Sequence, residues 1–268
     1  MQLTSLDQID RQYRHVYLQP HFDDAALSSG GSIALQRATG QRVLIVTVFG
    51  GIPADGTRLS GYAQQIQQRT GLGLDAGDAV RQRRAEDARA AEVLGADTLW
   101  LDYLDAIYRG SPAYYQSEES LFGTINASDT HLDEELSSTL LNIYERAPLA
   151  AFYAPLGIGH HVDHQLSCSA ADRLAQRKVN IKFYEDFPYV AQQGSLDGRR
   201  SELGIPMEPE VVEISGTMRL KEEAISQYTS QVPQLFGSEE RMRQMVNGYA
   251  SSLRRTQPGL QLERYWHW

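Results

Sequence analysis

Pro20-His21-Phe22-Asp23-Asp24 near the start of the chain and His161-Val162-Asp163-His164 past its middle set imidazoles and carboxylates a few residues apart. Such side chains hold divalent cations and move protons near neutral pH. Each cluster follows a short apolar run that reads as a β-strand. Together they can supply two histidines and one carboxylate to a zinc ion, leaving a coordination position open for water. That set points to a metal-dependent hydrolase.

In the first cluster, His21 and Asp24 are three residues apart, so a tight turn can aim both at one ion. Asp23 is then adjacent and free to act as a base. Taken alone, a His-x-Asp-Asp sequence also suits a helix cap beside a buried histidine. In the second cluster, three of the chain's seven histidines fall at positions 160, 161 and 164. Spacing leaves His160 open as a further ligand. Two such clusters, each at a predicted strand end, reinforce one another.

The elements that must position these clusters alternate along the chain. Val16 to Leu18 reads as a strand, Ser32 to Arg37 as a helix after Gly30-Gly31, and Arg42 to Phe49 as the strongest strand. That last run is almost continuously apolar, as a parallel strand covered on both faces requires. Residues 51–77 read as a long loop or lid, Asp78 to Leu94 as an amphipathic helix ended by Gly95, and Thr98 to Leu101 as a strand. After an irregular stretch from Asp105 to Ser128 come a helix from Asp133 to Arg146 and a strand from Leu149 to Tyr153 that leads into the second cluster. A helix (Leu166 to Arg177) and strand (Val179 to Tyr184) follow. Beyond the connection 194–209, Val211 to Ile214 is a strand, Ser215 caps a helix from Thr217 to Thr229, and Ser238 to Leu253 is a helix. This alternation predicts one α/β domain over residues 1–268, a Rossmann-like, doubly wound, mostly parallel sheet flanked by helices. Open sheets of that kind bind ligands beyond the carboxyl ends of their strands.

With 25 basic and 34 acidic residues in 268, the formal charge is −9, which argues against nucleic acid as a partner. At 41% hydrophobic residues the chain can fold without a metal or disulfide to hold it. Cys168 is the single cysteine, excluding an intrachain disulfide and a Cys-rich zinc finger; on a helix it reads as a small buried residue. No stretch approaches the length of a membrane span, and Met1 to Asp10 has no apolar run. A cytoplasmic protein is the expectation, and a homo-oligomer is compatible with it.

The pair of motifs resembles the LmbE/PIG-L family of zinc-dependent N-acetylglucosaminyl deacetylases, whose signatures are Pro-His-Pro-Asp-Asp and His-x-Asp-His. The likeness extends to Gly30-Gly31, to an Arg-x-x-Glu helix (Arg83 to Glu86), to Asp105, and to Tyr184-Glu185-Asp186-Phe187-Pro188-Tyr189 and Tyr228-Thr229-Ser230-Gln231. It covers residues 15–235, leaving a C-terminal helix and aromatic tail at 236–268. The resemblance implies that His21, Asp24 and His164 bind Zn2+, or another divalent ion such as Fe2+. It implies that Asp23 is the general base for a zinc-activated water, and that His161, protonated, stabilises the oxyanion or protonates the leaving amine. Asp163 would orient a histidine, while Arg83, or Arg84 in the next register, and Asp105 would contact the sugar. The implied substrate is an acetylated amino sugar of the N-acetylglucosamine type, or its conjugate. Phe22 departs from the motif proline. Gly159 stands where some relatives carry a tyrosine that reaches the substrate carbonyl.

Other readings use the same residues differently. An amidase could cleave a larger acyl amide of a thiol–sugar conjugate at the same metal. A catalytically silent sugar-binding protein would not need the full set of His21, Asp23, Asp24, His161 and His164. A dinucleotide loop at Gly71 to Gly77 is rejected, because its spacing is one residue too long and no strand precedes it. The terminal aromatics Tyr265 to Trp268 can stack on a sugar or pack within the molecule, and Tyr108, Tyr114 and Tyr115 can line the cleft or fill it.

Overall fold

Buried throughout, the apolar run from Val43 to Val46 belongs in the interior of a sheet covered on both faces. A computed structural model describes residues 1–253 and 259–268. In chain order its elements begin with β1 (Gln2–Leu3), β2 (Tyr13–Gln19), α1 (Asp24–Ala38), β3 (Arg42–Thr47), α2 (Gly61–Arg69) and α3 (Ala76–Leu94). Then come β4 (Asp97–Trp100), α4 (Glu118–Leu121), α5 (His131–Arg146), β5 (Ala151–Pro155) and α6 (Val162–Ala175). The remainder holds β6 (Ile181–Tyr184), α7 (Ser195–Leu203), β7 (Glu208–Glu213), α8 (Met218–Ile225), α9 (Val232–Phe236), α10 (Glu239–Ser252) and β8 (Leu262–His267).

The strands form one sheet in the order β1-β4-β3-β2-β5-β6-β8-β7. Pairs from β1 to β6 are parallel, and β8 runs antiparallel to both of its neighbours. From β2 the chain winds outward through β3 and β4, then returns to the other side of β2 with β5 and β6. The winding direction therefore reverses between β2 and β5. At such a point adjacent loops diverge and leave a crevice beyond the strand ends. His21 follows β2 and His161 follows β5, so both clusters open into that crevice. Helices α1, α3 and α8 pack together, and α5 packs with α6, flanking the sheet as the alternation required.

The structure departs from the sequence expectations in particular places. Helix α1 begins at Asp24, eight residues before the expected start, and carries Gly30 and Gly31 inside it. The glycines are there because α8 and its lead-in press close: a Cβ on Gly31 would meet Ile214 at 2.6 Å, and one on Gly30 would meet Lys221 at 3.0 Å. Within 51–77 lies α2, capped by Ser60, whose side chain accepts from Ala63 N at 3.1 Å. Helix α4 interrupts the stretch after Asp105, and α7 occupies the connection before β7. Ser215 does not cap α8; its hydroxyl accepts instead from Gln261 N at 3.0 Å. The aromatic tail is strand β8, with Tyr265 and Trp266 buried and Trp268 stacked on Phe183 at 4.0 Å between centroids. Its role is packing within the sheet.

Candidate active site

Gln19, the last residue of β2, is fully buried and ties down the loop that follows. Its Oε1 accepts from Ala25 N at 3.1 Å, while its Nε2 donates to Thr47 Oγ1 at 2.8 Å and Asp87 Oδ1 at 3.0 Å. Over that anchor the chain turns sharply, and His21 N donates to Asp24 Oδ2 at 2.7 Å. The turn leaves His21 Nδ1 3.6 Å from the same oxygen. His164, in the first turn of α6, brings its Nε2 to 3.4 Å from it. One ring nitrogen from each of His21, His161 and His164 also lies within 4.8 Å of the others.

The far nitrogens decide what each ring can offer. His21 Nε2 sits 3.0 Å from Asp163 Oδ2, and His164 Nδ1 sits 2.7 Å from Asp186 Oδ1. A histidine whose N–H is held by a carboxylate presents the lone pair of its other nitrogen. His21 thus offers Nδ1 and His164 offers Nε2, both toward Asp24. His161 is different: its Nδ1 accepts from Asp163 N at 3.2 Å, which leaves the ring hydrogen on Nε2. His161 is a donor into the site. Two imidazoles with carboxylate-held backs, plus one carboxylate oxygen facing both, suit a divalent cation.

Charge follows the same division. Burial would depress the imidazoles, yet Asp105, Asp163 and Asp24 raise His21, and Asp24 with Asp186 lifts His164 to about 9. Burial also pushes the Asp24 carboxyl up, against the pull of those two rings. His161 lacks such support: burial first, then His21, hold it well below the ordinary histidine value. Burial and His21 thus work against the protonated His161 that the family resemblance implies. Burial opposes ionisation of Asp163, but the Arg109 guanidinium at 2.6 Å holds its carboxyl below the usual carboxylate range.

Asp23, also buried, takes Arg83 Nη2 at 3.4 Å on its Oδ1. Arg83 Nη1 lies 3.9 Å from Asp105 Oδ2, which is itself 3.8 Å from His21 Nε2. Of the two arginine registers, Arg83 is the one in the site, while Arg84 donates to Gly50 O at 3.0 and 2.6 Å. Phe22 is buried under Arg83, with the guanidinium carbon 5.3 Å from the ring centre. His160 points elsewhere, its Nε2 3.2 Å from Glu202.

These groups open into a cavity of about 270 Å³. Gly159 has φ +90°, and a Cβ there would meet the Tyr189 ring at 2.6 Å, so Tyr189 occupies the space beside Gly159, its ring centre 6.1 Å from that of His164, and lines the cavity. Tyr108 lines it too, whereas Tyr115 is buried against Arg109. Cys168 is buried with its thiol pushed up by burial to about 12, which suits packing and not nucleophilic attack. Asp163, the carboxylate expected to orient a histidine, stands behind His21, whereas sequence reasoning missed the support behind His164. Asp186 belongs to a family-like segment that marks no role for it. Arg109, which also bonds Asp129 at 2.8 Å, carried no local signal.

The chain matches the family "PIG-L: GlcNAc-PI de-N-acetylase" over residues 16–175. It is 32% identical over 239 residues to a 2'-N-acetylparomamine deacetylase of Niallia circulans, covering 84% of this chain and 82% of the relative. A protein of the same description from Streptomyces fradiae is 28% identical over 227 residues, covering 82% and 74%. Among solved structures, the zinc-inhibited form of teicoplanin deacetylase Orf2 superimposes with a TM-score of 0.79 at 26% identity, covering 94% of this chain and 97% of that one. With more than half of its length and both histidine clusters inside the matched region, the chain belongs to the PIG-L family of de-N-acetylases.

Proposed function

We propose that the protein is a zinc-dependent N-deacetylase that hydrolyses the acetamide of an N-acetylglucosamine-type amino sugar or its conjugate. One observation carries this reading: Asp24 Oδ2 faces both His21 Nδ1 and His164 Nε2, at 3.6 and 3.4 Å, with Asp23 beside them. His21, Asp24 and His164 would hold the ion. A cation bound there supplies Lewis acidity, easing deprotonation of water and polarising the acyl carbonyl.

Asp23 is assigned as general base. It takes the proton of the attacking water, and Arg83 at 3.4 Å keeps its carboxylate aimed at the cavity. As the carbonyl becomes tetrahedral, negative charge develops on its oxygen. His161 meets that charge as a neutral imidazole donating from Nε2, the role its tautomer permits. The departing nitrogen needs a proton, because an amide anion is too basic to leave, and protonated Asp23 returns the one it took. Asp163 holds His21 in register, while Arg83 and Asp105 present a paired cation and anion to the ring hydroxyls. Acetate and the free amino sugar result.

The relatives named for 2'-N-acetylparomamine favour an acetylated hexosamine ring within a larger conjugate. A cavity of about 270 Å³ suits one such ring, with the rest of the conjugate outside. Iron(II) could use the same donors, so the metal itself must be measured. The test is metal analysis of purified protein, coupled to acetate release from N-acetylglucosaminides by wild type and Asp23→Asn. The variant is expected to keep its metal and lose about a hundredfold to ten-thousandfold in kcat. Protein without stoichiometric divalent metal, or an Asp23→Asn variant at wild-type rate, would refute the assignment.

A further inference from the structure

Phe122 and Tyr189, both half-buried, line the cavity on the side of His161 and His164. The Phe122 ring meets His161 edge-on with centres 5.2 Å apart, and the Tyr189 ring meets His164 edge-on at 6.1 Å. The two rings stand 5.9 Å from each other and form one aromatic wall beside the histidines. Arg83 and Asp105 stand elsewhere, with Asp23 and with Nε2 of His21, whose Nδ1 is the nitrogen that turns to Asp24. An N-acetylated sugar divides in the same way: hydroxyls lie on the nitrogen side of its amide, and a bare methyl on the carbonyl side. The wall is also fixed in place. Gln165 Nε2 donates to Gly123 O at 2.7 Å and His160 O at 2.6 Å, stapling the residue after Phe122 to the one before His161. Leu121 and Val162, the residues before Phe122 and after His161, share one small apolar cluster. The Tyr189 ring lies flush on the Gly159 backbone, so neither ring can retreat without moving its supports.

We propose that Phe122, backed by Tyr189, is a specificity-determining residue that receives the methyl of the acetyl group and shuts out longer acyl chains. The inference rests on the N-deacetylase reading above and adds which acyl groups its site accepts. A methyl packs against an aromatic wall at no cost in hydrogen bonds, whereas each further methylene would have to displace a ring that is held from behind.

The experiment measures kcat/KM of wild type and Phe122→Ala on an N-acetylglucosaminide and on its N-butyryl and N-hexanoyl counterparts, read as free amine released. Wild type should favour acetyl over hexanoyl by about a hundredfold or more. Phe122→Ala should cleave the hexanoyl sugar at least about tenfold better than wild type does, a gain that damage to the fold cannot produce. If Phe122→Ala does not melt cooperatively, Phe122→Leu carries the same comparison, with its gain expected first on the butyryl sugar. Wild type that takes hexanoyl as readily as acetyl, or a variant that loses equally on all the sugars, overturns the proposal. Wild type that releases amine from none of them would sink the deacetylase reading and this inference together; active wild type whose acyl preference ignores Phe122 sinks only the latter.

Discussion

Asp23 and Asp24 are chemically identical neighbours that face different partners. Asp24 accepts from the His21 backbone and looks at two imidazoles, whereas Asp23 looks at Arg83. The turn at the start of α1 makes the division, because consecutive residues entering a helix point about 100° apart. The residues inside each motif were legible because they act within four positions of one another. Their supports were not: Asp186 reaches His164 across 22 residues, and Arg109 reaches Asp163 across 54. No local pattern encodes such pairings. Asp186 nevertheless has a measurable task, since its carboxylate fixes the His164 ring and also accepts from Ile158 N at 2.9 Å. Asp186→Ala is therefore expected to lower metal affinity about 10- to 100-fold, read by competition with a chromophoric chelator. Unchanged affinity would mean that the His164 ring is oriented by packing alone.

At the scale of elements, the strands were legible wherever burial on both faces left an unbroken apolar run, as in β3. Helix α2 was hidden because it buries only Ala63 and Gln67, so its Gln-rich sequence has no apolar stripe to announce it. Strand β8 was hidden because its partners, β6 and β7, lie far back in the chain and its aromatics read equally well as a loose tail. The early start of α1 was masked by Gly30-Gly31, which looks like a break until the neighbouring chain is seen. Glu263 of β8 accepts from Gly31 N at 2.9 Å and Ser32 N at 2.8 Å, and it is paired with buried Lys221 at 2.7 Å. One carboxylate thus links the last strand, α8 and the helix that carries Asp24. Gly31→Val should destabilise the fold by about 1–3 kcal/mol through overpacking against Ile214. Adding Ile214→Ala should restore part of the lost melting temperature. A Gly31→Val protein that melts like wild type would show that α8 can retreat without cost.

For the molecule as a whole, the site concentrates negative charge that the protein must neutralise with either protons or a cation. Asp24, Asp105, Asp163 and Asp186 all face His21 or His164, and they raise both imidazoles against the pull of burial. His164 has a folded value of about 9 against an ordinary 6.5. A group raised in this way stabilises the fold fully below its unfolded value, and that contribution disappears as pH climbs through the folded one. Chelator-treated protein should accordingly lose stability between pH 6.5 and 9, with His21 acting in the same direction. A bound cation needs those rings deprotonated, so its affinity should rise over the same interval and each uptake should release protons. Metal-loaded protein is then expected to hold or gain stability where the stripped protein declines. The two melting curves, recorded across that window at fixed metal excess and at fixed chelator excess, should diverge as pH rises. Parallel curves would mean that protons and metal do not compete for His21 and His164, and the ligand set would have to be sought elsewhere in the crevice.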